Sequence, residues 1–166
     1  MRGANRARGR FLYHAGMQSP DPALEPDGTY VHRQMVRNGE TDQMGRAHHA
    51  NYLLYFEEAR TAMMRALGVS YAETEKRGIG LPVRQTAVRY RNAAFYEDEL
   101  AVVTRIERVG PASVTFTYRI VRPSDDLLIA TGSTELASIR MAGPDTRLTK
   151  LGPELEAVFA ANARPE

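Results

Sequence analysis

Apolar residues recur at helical spacing in one long stretch of the chain, residues 49–67. Positions three or four residues apart lie on the same side of an α-helix, so this spacing predicts a helix with one broad apolar face. Gly68 follows the last apolar residue, where a glycine commonly ends a helix. A helix with so wide an apolar face needs a sheet to pack against. The predicted apolar face contains Tyr52, Tyr55, Phe56, Ala59, Met63, Ala66 and Leu67, and the polar face contains Glu57, Glu58, Arg60, Thr61 and Arg65.

Alternating apolar and polar residues elsewhere predict β-strands, one before the long helix and four after it. Short turn-forming segments separate the four later strands, which predicts that consecutive strands are antiparallel neighbours. The order of elements therefore predicts an α+β fold, with an antiparallel sheet curled over one long helix. The strands are predicted at residues 30–37, 83–91, 99–108, 113–122 and 127–139, a turn at 79–82, and short helices at 70–77 and 153–162.

Composition narrows the class of protein. The 166 residues are predicted to form one domain, residues 29–145, between a flexible basic arm, residues 1–28, and a tail with a short helix, residues 146–166. The absence of cysteine excludes a disulfide framework, a thiolate nucleophile and cysteine-ligated zinc. No apolar run approaches the ~20 residues that cross a bilayer, and no signal peptide is evident, so we expect a cytoplasmic protein. The net charge of +2 is too small to indicate nucleic acid binding.

An aspartate stands just before the predicted long helix. Asp42 and Gly45 lie in a polar, turn-forming segment, and the helix is predicted to begin at about His49. The first backbone N–H groups of a helix have no partner within it and carry partial positive charge, so they can stabilise an oxygen that becomes negative. An acid facing such a helix end supplies a base or nucleophile together with an oxyanion donor. The alternative roles for Asp42 are those of a turn former or a helix cap.

The residues around this aspartate follow the pattern D-x-x-G-x-x-x-H-x-N-Y, formed by Asp42, Gly45, His49, Asn51 and Tyr52. This pattern resembles the signature of the 4-hydroxybenzoyl-CoA thioesterase-like family of hotdog-fold acyl-CoA thioesterases, and the likeness extends over residues 30–139. The resemblance implies an antiparallel sheet wrapped around one long helix. It also implies homodimers, often paired into dimers of dimers, with acyl-CoA bound at a subunit interface near the start of that helix.

The resemblance also assigns roles to individual residues. Carried over by position, Asp42 becomes the general base or the nucleophile, and the backbone N–H of His49 becomes the donor to the thioester carbonyl. The side chain of His49 is a second candidate catalytic group, and Gly45, Asn51 and Tyr52 are candidate substrate contacts. Asn51 has an alternative role in closing the turn or bonding the acid, and Tyr52 has one in the core. No metal or organic cofactor is expected.

Three arginines lie on or beside the second predicted strand, namely Arg84, Arg89 and Arg91. Guanidinium groups match phosphate oxygens in pairs, so these side chains are candidate ligands for the phosphates of CoA. A solvated strand face would show the same residues, and this alternative stays open.

The same residues bear on two alternative functions and on a metal site. A hotdog hydratase acting on enoyl thioesters would be expected to carry a D-x-x-x-x-N-P-x-H motif, which the chain lacks. An acyl-CoA or acyl-carrier-protein binding module without turnover is the alternative from another class. A metal site at the adjacent His48 and His49 is not expected, because no further ligand stands at a helical spacing from them.

Overall fold

The computed structural model describes residues 23–141 and 146–164. The long helix predicted from the apolar spacing is α1, Asn51–Ala66, and its buried residues include Tyr52, Tyr55, Phe56 and Met63. It begins two residues later than predicted, because His49 and Ala50 form a turn and the His48 N–H before them donates to the Glu40 carbonyl. Gly68 follows the helix with a φ of +79°, a left-handed conformation that glycine adopts without steric cost.

Five strands form the main antiparallel sheet, in the order β1, β4, β5, β6, β3. Each strand is within a few residues of its predicted position. The bounds are β1 Tyr30–Met35, β3 Val83–Tyr90, β4 Glu99–Gly110, β5 Ser113–Arg122 and β6 Leu127–Ala137.

The neighbours of β3 differ from the prediction. Strands β4, β5 and β6 form the predicted meander, but β3 pairs with β6 and not with β4. The residues between β3 and β4 cross the sheet by way of the helix start, where Ala47 N–H donates to the Ala94 carbonyl (2.8 Å). The chain therefore places β3 at one edge of the sheet, and the predicted α+β arrangement of sheet and helix is confirmed.

A second, smaller sheet lies beside the first. The predicted turn at 79–82 instead contains β2, Ile79–Gly80, which pairs with β7, Ile139–Arg140, and β7 pairs in turn with β8, Arg147–Leu148. The strand predicted to continue to residue 139 is interrupted at Ser138, a buried residue between β6 and β7. The short helices are α2, Tyr71–Lys76, and α3, Pro153–Asn162, and both agree with the prediction.

The core lies between α1 and the main sheet. The ring of Phe56 on α1 stacks on Tyr118 of β5, with centroids 4.2 Å apart and planes within 7°. Phe159 of α3 is fully buried and meets the edge of Phe116, so the carboxy-terminal helix contributes to the same core.

Arg60 is the clearest exception to the predicted pattern of α1. The helical spacing predicts it on the polar face, but its side chain is buried, and its Nε donates to the Tyr71 hydroxyl (3.2 Å). The second helix α2 covers this side of α1, which local spacing could not indicate.

The predicted division into an arm, a domain and a tail stays a prediction, since most of the arm lies outside the described residues. In the described ranges, no helix is long and apolar enough to span a membrane.

Candidate active site

Asp42 lies in a tight turn that fixes one of its carboxylate oxygens. Its Oδ1 accepts the backbone N–H groups of Met44 (2.8 Å) and Arg46 (3.3 Å), and its own N–H donates to the Arg46 carbonyl (2.8 Å). Gly45 has a φ of +70°, the left-handed conformation that lets the chain close this turn. Asp42 is half-buried, and its Oδ2 has no hydrogen-bond partner among the described residues, so the carboxylate is held through Oδ1 while Oδ2 stays available to react.

The start of α1 presents an unpaired amide. The His48 N–H donates to the Glu40 carbonyl (2.8 Å), and the Asn51 N–H donates to the His48 carbonyl (3.0 Å). The His49 N–H between them donates to no acceptor within residues 23–141 and 146–164. The His49 carbonyl, by contrast, accepts the Tyr90 hydroxyl (2.9 Å). The backbone at His49 is therefore anchored through its carbonyl while its N–H stays available to a ligand.

Asp42 and His49 line the same open cleft, which has a volume of about 380 Å³. Its wall includes Tyr52 and Tyr90, whose rings meet edge to face with centroids 5.0 Å apart. Burial raises the pKa of Tyr52, so its ring is an uncharged wall of the cleft at neutral pH. Arg91, just beyond the end of β3, also lines the cleft.

Eight site residues were predicted from the sequence, and four of them line the cleft: Asp42, His49, Tyr52 and Arg91. The other four lie elsewhere. Gly45 forms the Asp42 turn. Asn51 points away from the cleft, because its Nδ2 donates to the Glu40 carbonyl (2.7 Å).

The other two arginines face different surroundings. Arg84 lies near Glu135 (Nη1 to Oε1, 3.5 Å). Arg89 lines a separate depression on the sheet face opposite α1, together with Arg105 and Arg119. The sequence alone could not distinguish Arg89 from Arg91, because residues two positions apart share one face within a strand. Arg91 lies beyond the end of β3, where this alternation no longer applies.

Glu40 is a site residue that sequence reasoning missed. Its carbonyl accepts the His48 N–H and the Asn51 amide, and its Oε2 accepts the Tyr55 hydroxyl (2.9 Å). Glu40 thereby joins the loop that carries Asp42 to the first turns of α1. The only signal in the sequence is its position two residues before Asp42.

Glu58, on α1, pairs with Arg37 (3.6 Å) at the surface. The rings of His48 and His49 lie with centroids 4.1 Å apart. No group of three or more His, Asp or Glu side chains that could hold a metal ion occurs in the described part of the chain, and the expectation of a metal-free reaction stays a prediction.

Comparison with known proteins shows which family this chain belongs to. The sequence profile of the thioesterase-like superfamily matches residues 36–159 of this chain. YneP of Bacillus subtilis, provisionally named an acyl-CoA thioesterase, is 32% identical over 124 residues, which cover 75% of this chain and 90% of YneP. The acyl-CoA thioester hydrolase YbgC of Escherichia coli O6:H1 is 34% identical over 54% of this chain and 66% of its own.

Solved structures agree with the sequence relatives. The DHNA-CoA thioesterase of Staphylococcus aureus is 31% identical, superposes with a TM-score of 0.74, and the match covers 80% of this chain and 89% of that one. The chain therefore belongs to the thioesterase-like superfamily, and it is an enzyme of the thioester hydrolase class. The predicted hotdog fold is confirmed.

Proposed function

We propose that this protein hydrolyses acyl-CoA thioesters in the cleft between the Asp42 turn and the start of α1. The observation that carries the proposal is that one cleft is lined by both Asp42 and His49, and that among the described residues neither Asp42 Oδ2 nor the His49 N–H has a hydrogen-bond partner. Acyl transfer requires these two functions, a nucleophile or base and a donor to the developing oxyanion. The names of YneP, YbgC and the staphylococcal enzyme, all CoA thioesterases, support the substrate class.

Two routes use the same groups. In the first, Asp42 takes a proton from water as the water oxygen attacks the thioester carbonyl. In the second, Asp42 itself attacks, and water then cleaves the resulting anhydride and restores the carboxylate. In both routes the His49 N–H stabilises the negative oxygen, the carbon–sulfur bond breaks, and the CoA thiolate leaves and is protonated.

The test replaces Asp42 while keeping its turn. In Asp42→Asn the amide oxygen can still accept the Met44 and Arg46 N–H groups, so the variant is expected to fold, as circular dichroism would check. Release of free thiol from acyl-CoA should fall by about 10²–10⁴-fold, the usual contribution of a general base. Glu75→Gln, an exposed acid on α2, is the control and should keep full activity.

Undiminished turnover by Asp42→Asn would overturn the assignment of the acid. Binding of acyl-CoA by the natural chain with no thiol release would support the non-catalytic binding module instead. Hydration of an enoyl-CoA without thiol release would support the hydratase.

We also propose that the protein assembles through the β3 edge of its sheet. Among the strands of residues 23–141 and 146–164, β3 pairs with β6 alone, and its residues are mostly exposed, so within these ranges its second side offers unpaired backbone groups. Pairing two such edges across a two-fold axis would remove one exposed edge from each subunit. Sedimentation should show at least a dimer, and a monomer at assay concentration would count against a shared site. The dimer of dimers and the cytoplasmic location stay predictions.

A further inference from the structure

Two arginines line the Asp42 cleft, and neither guanidinium is neutralised. Arg46 belongs to the Asp42 turn, and Arg91 follows β3; both are exposed. Neither lies within 4.0 Å of a carboxylate in the described part of the chain, Asp42 included. Counted over the described residues, the lining of the cleft therefore carries two uncompensated positive charges and a single negative one.

The backbone holds both arginines in place while their side chains stay free. The Arg46 N–H and carbonyl both bond to Asp42, and Arg46 also forms an isolated β-bridge with Phe95. The Arg91 N–H donates to the Ile129 carbonyl (2.9 Å), which ties the end of β3 to β6. Two anchored arginines that approach one cleft from different loops can contact one anion from two sides.

We propose that Arg46 and Arg91 form an anion subsite that binds a phosphate in the leaving-group half of the substrate. This inference rests on the proposed function. Guanidinium groups bind phosphate oxygens through paired, charge-assisted hydrogen bonds, and the apolar acyl half of a thioester offers them nothing comparable. The subsite would orient the substrate, with its phosphate at the arginines and its carbonyl at the start of α1.

The other candidate arginines are less suited to this role. Arg84 faces Glu135, and Arg89 lines the depression on the opposite face of the sheet. Arg89 is exposed, also has no carboxylate within 4.0 Å among the described residues, and stands two positions from Arg91. It is therefore a matched control for charge and strand position.

The experiment compares substrates with and without phosphate. Arg46→Gln, Arg91→Gln and Arg89→Gln are assayed with an acyl-CoA and with the N-acetylcysteamine thioester of the same acid. For acyl-CoA, KM should rise about tenfold in each of the first two variants, as expected from losing one charge-assisted hydrogen bond, with kcat within about twofold. The phosphate-free thioester should show no change in kcat/KM, and Arg89→Gln should match the natural chain on both substrates.

A third substrate identifies the phosphate. If the 4′-phosphopantetheine thioester shows the same rise in KM, the bound phosphate is one that CoA shares with a carrier-linked substrate. If only acyl-CoA shows it, the bound phosphate belongs to the nucleotide. Either result supports the subsite.

Equal losses on the phosphate-free thioester, or no loss on acyl-CoA in Arg91→Gln, would overturn the proposal. Because Arg46 is part of the Asp42 turn, a loss on both substrates in Arg46→Gln alone would identify damage to that turn and would count against Arg46 as a ligand. Calorimetric titration with free CoA separates this inference from the proposed function, because it needs no turnover. Weaker CoA binding by Arg91→Gln but not Arg89→Gln would support the subsite even if Asp42 proved not to be catalytic.

Discussion

The Tyr90 hydroxyl donates to the His49 carbonyl oxygen at 2.9 Å, which joins the last residue of β3 to the segment just before α1. The Tyr90 ring also packs edge to face on Tyr52, in the first turn of the helix. One edge-strand residue thus fixes the peptide whose neighbouring N–H is the proposed oxyanion donor. The orientation of that donor depends on contacts from the sheet as well as on the helix itself.

Tyr90→Phe should weaken catalysis while leaving the fold intact. The change removes one hydrogen bond and keeps the ring, so we expect kcat/KM for thioester hydrolysis to fall about two- to twelvefold, equivalent to about 0.5–1.5 kcal/mol. Tyr96→Phe, an exposed tyrosine on the loop before β4, is the control and should have no effect. Equal activities of the natural chain and Tyr90→Phe would show that the His49 peptide is held without this bond.

Asn51→Asp should separate positioning from stability. The variant replaces the amide donor to the Glu40 carbonyl with a carboxylate oxygen, which repels that carbonyl. We expect a loss of about 1–3 kcal/mol in the free energy of unfolding and a clear fall in kcat, because the loop carrying Asp42 loses one of its two side-chain hydrogen bonds to α1 and keeps the one from Tyr55. Asn162→Asp removes the same type of bond, to the Val158 carbonyl in α3, far along the chain from the site. Thermal unfolding should show similar losses for both variants; a similar fall in kcat for both would refute a special role for Asn51.

Gly132→Ala should destabilise the contact between helix and sheet. A Cβ atom at Gly132 would lie 2.6 Å from the Ala87 carbonyl oxygen and 2.7 Å from Cζ of Phe56, whose ring is stacked on Tyr118. Overpacking of this kind costs about 1–3 kcal/mol, measurable as a lower midpoint in urea. Gly39→Ala is the control, because its Cβ would meet no atom within 4 Å. Equal midpoints for the two variants would contradict a close contact between Gly132 and Phe56.

Alkaline pH should unfold the protein in part through Tyr55. Burial, reinforced by the hydrogen bond to Glu40, raises the pKa of Tyr55. Above about pH 10 the unfolded chain has released this proton while the folded chain retains it, so unfolding releases a proton and stability falls as pH rises. Burial raises the pKa of Tyr71 and Tyr118 in the same direction. The free energy of unfolding of Tyr55→Phe, measured from pH 8 to 11, should therefore decline less steeply than that of the natural chain; parallel profiles would show that Tyr55 does not contribute.

The sequence by itself determined the elements that depend on local spacing. The apolar period of α1, the alternation in the strands and the turn-forming residues between them all act over a few positions, so their approximate bounds could be predicted. The same holds for the pairing of an acid with a helix start, because Asp42 and His49 are only seven positions apart. The resemblance carried by this segment is consistent with the family that the comparisons show.

Only the tertiary structure decided which surfaces meet. The pairing of β3 with β6, the burial of Arg60 beneath α2, the bond from Tyr90 to His49 and the separation of Arg89 from Arg91 all join segments that are distant in the chain or depend on where a strand ends. Contacts of this kind depend on the crossing of the loop between β3 and β4 and on the packing of the sheet around the helix. Local periodicity is independent of both, which is why the residues of the helix could be predicted from the sequence and the partners that orient its first turn could not.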